Sequence, residues 1–167
     1  MQGFAKDIFE RLTTAQVEFV VVGGVSAVLQ GVPIVTLDLD LCYRRTPENI
    51  KKLAAALAPL PLRQRGFPPE LPALFDERTI QLGCNFTLEA GADHLDLLGE
   101  MSAIGGYEQI IGDAEDIEFQ TYRLKVLSLT QLIATKEAAN RAKDNAVLPT
   151  LRAVLELRRQ SDTKEGN

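Results

Sequence analysis

Two aspartates one residue apart, Asp38 and Asp40, are the residues best suited to chemistry in this 167-residue chain. Leu37, Leu39 and Leu41 alternate with them, a pattern typical of a central strand. Because side chains along a strand point alternately to its two faces, both carboxylates lie on one face. Two carboxylates on one face repel each other unless a cation binds between them, so the pair is either a metal site or an exposed sheet edge. The leucines favour the metal site.

A pair of glycines, Gly23 and Gly24, follows the apolar segment 18–22, which we predict to be a buried strand. Glycine lets the backbone approach a ligand closely, and a short helix predicted from about Ser26 to Gln30 would direct free N–H groups towards it. The hydroxyl of Ser26 could then bind a phosphate oxygen. A tight turn with Ser26 as a helix N-cap explains the same residues without a ligand. The sequence matches neither the dinucleotide-binding glycine spacing nor the Gly-Lys pair of a P-loop.

A lysine, Lys136, lies on the apolar face of a predicted helix. That helix begins at Ser128, which forms a capping-box pattern with Gln131, and extends to about Ala139. A lysine on an apolar face needs an anionic partner, or it extends past the edge of the core to solvent. Lys136 is therefore either an anion ligand or an ordinary half-buried lysine.

The charges divide along the chain, although the net charge is only −5. Residues 66–122 contain one basic residue and twelve acidic ones, whereas residues 123–159 contain eight basic and three acidic ones. A basic stretch that faces a carboxylate-rich middle suits a site that binds an anion through metal ions, although two ordinary solvated faces produce the same counts. Within the basic stretch, Asp144 is expected to cap the last helix while pairing with a neighbouring base such as Arg141 or Lys143.

The elements that must position these residues follow a mixed α/β pattern. Spacing and capping predict helices over 3–14, 47–58, 107–111, 128–139 and 144–159. Apolar runs and alternation predict strands over 18–22, 37–43, 80–88, 94–98, 117–121 and 124–127, and four prolines predict a loop or mobile flap over 60–72. We expect a small twisted mixed sheet flanked by helices, in one domain over 1–159 with a polar tail over 160–167.

Composition narrows the class of protein further. The chain is 46% hydrophobic and 25% charged, as is typical of a soluble globular protein. Cys42 and Cys84 form neither a CxxC motif nor a disulfide framework, and the one histidine, His94, is interpreted as a half-exposed strand residue. The sequence has no signal-peptide pattern and no apolar run long enough to span a membrane, so we expect a cytoplasmic protein.

The segment from Val22 to Asp40 resembles the signature of the DNA polymerase β-type nucleotidyltransferase superfamily. Thirteen residues separate Val22-Gly23-Gly24 from Asp38-Leu39-Asp40. The segment GGVSAVLQGVPIVTLDLDL is most similar to the minimal, toxin-type branch, which includes the AbiEii-like toxins of toxin–antitoxin systems. The later segments HLDLLGEMSAIGGYEQ and VLSLTQLIATKEAANRAKD resemble the same branch, so the resemblance covers about residues 17–148.

This resemblance implies a nucleotidyltransferase that moves a nucleoside monophosphate from a nucleoside triphosphate (NTP) to an acceptor hydroxyl on RNA, protein or a small molecule. It implies two magnesium (or manganese) ions bound by Asp38 and Asp40, with Asp96 as the third carboxylate on a neighbouring strand. It also implies that Lys136 contacts the triphosphate. Arg141, Lys143 and Asp144 lie where relatives carry a basic residue followed by an aspartate, and they are candidates for acceptor binding or for a structural role.

One position departs from the pattern of these relatives. Many carry an arginine in the stretch GxxRxTxDLD, where this chain has Ile34. If that arginine holds phosphate or acceptor, we expect weaker binding or a different substrate, but an active enzyme, because the carboxylates are intact. The expected partners are an NTP, an acceptor such as the end of a tRNA or a protein, and an antitoxin protein. The alternative is a nucleotide-binding module without turnover that acts through a protein partner.

Overall fold

The computed structural model describes residues 2–68, 70 and 75–165. Its strands are β1 (Phe19–Val22), β2 (Asp38–Tyr43), β3 (Arg63–Gln64), β4 (Asn85–Ala90), β5 (Asp93–Leu98), β6 (Glu100–Met101), β7 (Gly105–Gly106), β8 (Glu115–Phe119) and β9 (Tyr122–Val126). Its helices are α1 (Gln2–Thr14), α2 (Gly23–Leu29), α3 (Pro47–Leu57), α4 (Glu77–Leu82), α5 (Tyr107–Ile110), α6 (Leu129–Ala139) and α7 (Ala142–Glu165).

Seven of these strands form one mixed sheet in the order β3-β4-β5-β2-β1-β9-β8, and β6 and β7 form a separate small hairpin. The central strand β2 is antiparallel to β1 and parallel to β5, and β1 is parallel to β9. This architecture confirms the predicted mixed sheet flanked by helices. No helix in the described part of the chain is long and apolar enough to cross a membrane.

The two faces of the sheet pack against different helices. Leu39 and Leu41 of β2 are buried in a cluster with apolar side chains of α1 and α3. Cys42 is buried in a second cluster with side chains of α6 and α7. Because Asp38 and Asp40 alternate with the leucines, they lie on the same face as Cys42. The aspartate pair is therefore on the side of the sheet that α6 and α7 cover.

The alternating apolar segment 80–88, which we expected to be one strand, is not one. Asp76 caps α4, because its side chain accepts a hydrogen bond of 2.8 Å from the backbone N–H of Thr79. Ile80 is buried whereas Leu82 is 80% exposed, so the alternation does not define one face of a sheet. The strand β4 begins at Asn85. The prediction failed over residues 80–82, where the aspartate cap favours a helix although the apolar alternation favours a strand.

Several boundaries also differ from those predicted. The helix α2 begins at Gly23 rather than Ser26, and α7 continues to Glu165, past the predicted end near residue 159. Of the predicted polar tail, residues 166–167 lie outside the described residues. Within the predicted loop 60–72, residues 63–64 form the edge strand β3, while Pro69 and residues 71–72 lie outside the described residues.

Candidate functional site

A cleft of about 750 Å³ opens beside the Asp38 and Asp40 face of the sheet. It lies between the β1–α2 turn, the strands β2 and β5, the hairpin of β6 and β7, and the junction of α6 and α7. Of the site residues singled out by sequence, those that line the cleft are Gly23, Gly24, Asp38, Asp40, Asp96, Lys136, Arg141, Lys143 and Asp144. The remaining one, Ser26, does not line it.

The three carboxylates of the site lie on two neighbouring strands. The parallel register of β2 and β5 pairs Asp40 with Asp96, and Asp38 with His94. Residues paired in register on adjacent strands point to the same face of a sheet. This register therefore brings the three carboxylates and His94 together on the cleft face.

Two basic side chains pair with these carboxylates. Nη2 of Arg65 lies 2.8 Å from Oδ1 of Asp96 and 3.8 Å from Oδ1 of Asp38. Nδ1 of His94 lies 2.8 Å from the same oxygen of Asp38. With the side chains so arranged, no three His, Cys, Asp or Glu residues in the described ranges are placed to hold one metal ion together.

Asp40 carries the most strongly perturbed carboxyl group of the site. Burial, followed by repulsion from Asp96 and Asp38, raises its pKa from 3.8 to about 7, while the charges of Lys136 and Lys143 oppose this rise. Burial also raises the pKa of Asp96 above its usual value, against the charge of Arg65. A divalent ion beside Asp40 and Asp96 would stabilise their ionised forms and so lower both pKa values.

The two glycines are required by close contacts on either side of the turn. Gly23 has φ +62°, and a Cβ atom there would lie 2.0 Å from Oδ2 of Asp40. A Cβ atom on Gly24 would lie 2.6 Å from Oγ1 of Thr36. The carboxylate of Asp40 thus rests against the turn at a point where any other residue would displace it.

Ser26 is buried in α2, and its Oγ donates a hydrogen bond of 2.7 Å to the carbonyl oxygen of Gly23. This bond ties the first turn of the helix to the glycine that contacts Asp40. A direct bond from Ser26 to a phosphate, as expected from the sequence, would require the hydroxyl to leave this partner.

Lys136 has an anionic partner on the next helix. Its Nζ lies 2.9 Å from Oδ1 of Asp144, and Arg141 pairs with the other carboxylate oxygen of Asp144. Asp144 is 1% exposed, and hydrogen bonds from Arg141 and Lys136 outweigh its burial and hold its pKa below the usual value. An ammonium group has three donors, so Lys136 can keep this ion pair and still present donors to the cleft that it lines.

Ile34, which stands where relatives carry an arginine, lines the cleft and packs against the cluster formed with α6 and α7. Val35 and Leu37 follow it with 92% and 72% of their surface exposed. This edge of the cleft is therefore apolar and supplies no positive charge of its own.

The donor types in the cleft, though not the present positions of the side chains, fit a hard divalent cation such as magnesium or manganese. The donor set is three carboxylates, and oxygen ligands of this kind are the ones these ions prefer. The guanidinium of Arg65 shows that a positive charge is already stabilised against two of the three. Asp38, Asp40 and Asp96 are accordingly the residues that would hold such an ion.

Sequence reasoning missed Arg65. His94 is a half-exposed residue of the strand β5, as expected, but its contact with Asp38 was not foreseen. The signal for His94 was available, because His94 and Asp96 are two residues apart on one strand and so share a face. No local signal identified Arg65, since it follows a two-residue strand inside a proline-rich segment. Its position depends on the pairing of that strand with β4, which the sequence does not reveal.

The whole chain resembles solved structures of nucleotidyltransferases, although no protein-family model and no curated protein matches its sequence. A candidate nucleotidyltransferase of Thermotoga maritima, TM1012, is 18% identical, with a TM-score of 0.54 over 93% of this chain and 92% of that one. The antibiotic-resistance factor ANT(2″)-Ia is 13% identical, with a TM-score of 0.59 over 97% of this chain and 91% of that one. A crystal structure of ANT(2″)-Ia in complex with adenylyl-2″-tobramycin gives a TM-score of 0.61 at 13% identity, over 98% and 97% of the two chains.

These likenesses extend over nearly the full length of each chain, so they describe the complete arrangement of sheet and helices rather than one shared motif. The chain therefore has the nucleotidyltransferase fold.

Proposed function

We propose that this protein transfers a nucleoside monophosphate from an NTP to an acceptor hydroxyl and releases pyrophosphate. The observation that supports this most is the pairing of Asp40 with Asp96 across β2 and β5, with Asp38 on the same face and a glycine turn against Asp40. Carboxylates on the sheet, together with Lys136 and Lys143 from α6 and α7, suit a substrate that is an anion bound through metal ions.

The triphosphate would lie between the glycine turn and the basic wall of α6 and α7. At Gly23 and Gly24 the backbone can approach phosphate oxygens without an intervening side chain. Lys136 and Lys143 act on the charge of Asp40 across the cleft, so they are also within electrostatic reach of a ligand held there. Lys136 would offset the negative charge that grows on the leaving pyrophosphate. Ser26 would support the glycine turn by holding the carbonyl of Gly23.

Asp38, Asp40 and Asp96 would hold magnesium or manganese. When bound, the ions supply Lewis-acid polarisation of the acceptor hydroxyl and charge neutralisation on the phosphates. The new bond joins the acceptor oxygen to the α-phosphorus, and the bond from that phosphorus to the bridging oxygen of pyrophosphate breaks. Asp96 would take the proton of the acceptor hydroxyl and pass it to solvent. Positioning and electrostatics account for most of the catalysis.

The acceptor is proposed to be a hydroxyl on a small molecule, a protein or the end of an RNA. An RNA acceptor, as for the toxin of a toxin–antitoxin pair resembling AbiEii, is supported by Arg141 and Lys143 beside the cleft. The acidic segment 66–122, which includes β4 to β8, opposes it, because it repels a polyanion. A nucleotide-binding module without turnover is the second candidate, and the pairing of Arg65 and His94 with two of the carboxylates favours it.

Transfer of label from each α-³²P NTP tests the proposal, with magnesium, against a panel of total RNA, proteins and polyhydroxylated small molecules. We expect labelled acceptor and stoichiometric pyrophosphate from one class, and neither product from Asp40→Asn. Tight magnesium-dependent NTP binding with no transfer to any acceptor would favour the binding module. An adjacent gene for a small regulator would favour the toxin.

A further inference from the structure

Arg65 reaches the carboxylates from two strands away. It follows β3, and its backbone N–H donates a hydrogen bond of 2.8 Å to the carbonyl of Thr87. Thr87 on β4 lies opposite Asp96 on β5. The edge strand thus places Arg65 in line with Asp96, and its long side chain crosses β4 to bring the guanidinium to that carboxylate at 2.8 Å.

The guanidinium is held by charge rather than by a full set of hydrogen bonds. Its Nε is buried and has no hydrogen-bond partner among the described residues. One terminal nitrogen contacts Asp96, and the same nitrogen lies at the longer distance of 3.8 Å from Asp38. A guanidinium offers five N–H donors and pairs best with a carboxylate through two parallel bonds, which this contact does not provide. Arg65 therefore offsets the charge of the carboxylates through one close contact with Asp96. Because it lacks the second parallel hydrogen bond, a competing cation could displace it.

We propose that Arg65 is an internal counter-cation that a divalent ion displaces from Asp96. Arg65 and the ion compete for the same carboxylate oxygens, so the wild-type protein binds the ion more weakly at Asp96 than it would without Arg65. The inference rests on the proposed function, because it takes Asp38, Asp40 and Asp96 to be metal ligands. Binding of the ion at Asp96 then requires the side chain of Arg65, which follows the edge strand β3, to move.

Manganese binding followed by the electron paramagnetic resonance signal of the free ion tests the competition. We expect Arg65→Gln to bind manganese at least tenfold more tightly than the wild type. Arg65→Gln combined with Asp96→Asn should lose that gain. Arg123→Gln removes the same charge from β9, on the opposite half of the sheet, and should bind as the wild type does. Equal or weaker manganese binding by Arg65→Gln would overturn the proposal and make Arg65 a residue that orients Asp96 for the metal.

A measurement on the wild-type protein follows the displacement directly and does not depend on the folding of Arg65→Gln. The Nε–Hε resonance of Arg65, assigned in ¹⁵N-labelled protein by its loss in Arg65→Lys, should shift as magnesium is added, because Nε leaves its buried position. A resonance that stays unchanged while magnesium saturates the protein would refute displacement. Magnesium-dependent NTP binding by the wild type tests the proposed function separately. If NTP binding depends on magnesium but Arg65 is not displaced, the displacement is refuted and the proposed function still holds.

Discussion

At the scale of single residues, Asp40 connects the electrostatics of the site to the stability of the fold. Its pKa is raised from 3.8 to about 7, mainly by burial and then by Asp96 and Asp38. The folded protein therefore disfavours the ionised carboxylate that the unfolded chain tolerates. The stability that follows from a protonated Asp40 is present below about pH 4 and is lost as the pH rises towards 7.

Asp40→Asn should therefore stabilise the metal-free protein at pH 8 by about 1–2 kcal/mol, because a repelled charge is removed while the shape of the side chain is kept. The gain should shrink towards zero at pH 4. Thermal melts of both proteins at the two pH values, in chelator, measure it. Saturating magnesium should reverse the order at pH 8, since only the wild type keeps the full ligand set. A gain that does not depend on pH would contradict the assignment of the shift to Asp40.

Gly23→Ala tests the contact between the glycine turn and Asp40. The added Cβ meets Oδ2 of Asp40, and the backbone has φ +62°. Gly91 is a matched control, because it has φ +64° and nothing within 4 Å of an added Cβ. We expect Gly91→Ala to cost about 1–2 kcal/mol of unfolding free energy for the left-handed backbone alone. Gly23→Ala should cost more and also abolish magnesium-dependent nucleotide binding, which Gly91→Ala should preserve. Equal costs with preserved binding would show that the contact is unimportant.

At the scale of elements, Lys136 at the junction of α6 and α7 has a structural partner in Asp144, and we propose that it also binds the NTP. Removing one partner of a buried ion pair leaves an uncompensated charge, although Arg141 still pairs with Asp144 after the loss of Lys136. We expect Lys136→Met to destabilise the fold by about 1–3 kcal/mol. The same variant should weaken NTP binding at least tenfold.

The double variant Lys136→Met with Asp144→Asn separates the two tasks. Removing the buried carboxylate as well should recover most of the lost stability, whereas NTP binding should stay weak because the donors to the cleft are still missing. Melting temperature and nucleotide affinity, measured on the two single variants and the double variant, show whether Lys136 has one task or two. Recovery of binding together with stability would make Lys136 a purely structural residue.

The elements with strong sequence signals within a few residues could be predicted from the sequence. The elements that depend on pairing between distant strands could not. The β1–α2 turn and β2 carry their signals within a few residues: a β-branched run, two glycines, and aspartates alternating with leucines. The helix α4 was missed because its apolar residues alternate as in a strand while Asp76 caps a helix. The strand β3 is two residues long, so the contact of Arg65 with Asp96 follows only from tertiary pairing with β4.

At the scale of the whole molecule, the cleft brings carboxylates of the sheet together with cations of the basic stretch 123–159. The carboxylates Asp38, Asp40 and Asp96 belong to the sheet, whereas Lys136 and Lys143 belong to the junction of α6 and α7. A bare triphosphate would be repelled by the first group and attracted by the second. A divalent ion removes the repulsion, so ion and nucleotide should bind cooperatively.

Calorimetric titration with non-hydrolysable analogues of the four NTPs, in magnesium and in excess chelator, tests whether the nucleotide binds through metal ions. We expect at least one analogue to bind in magnesium and its affinity to fall at least a hundredfold in chelator, since the carboxylates then face the phosphates without a cation between them. Equal affinity in magnesium and in chelator would contradict a site in which Asp38, Asp40 and Asp96 hold the nucleotide through metal ions.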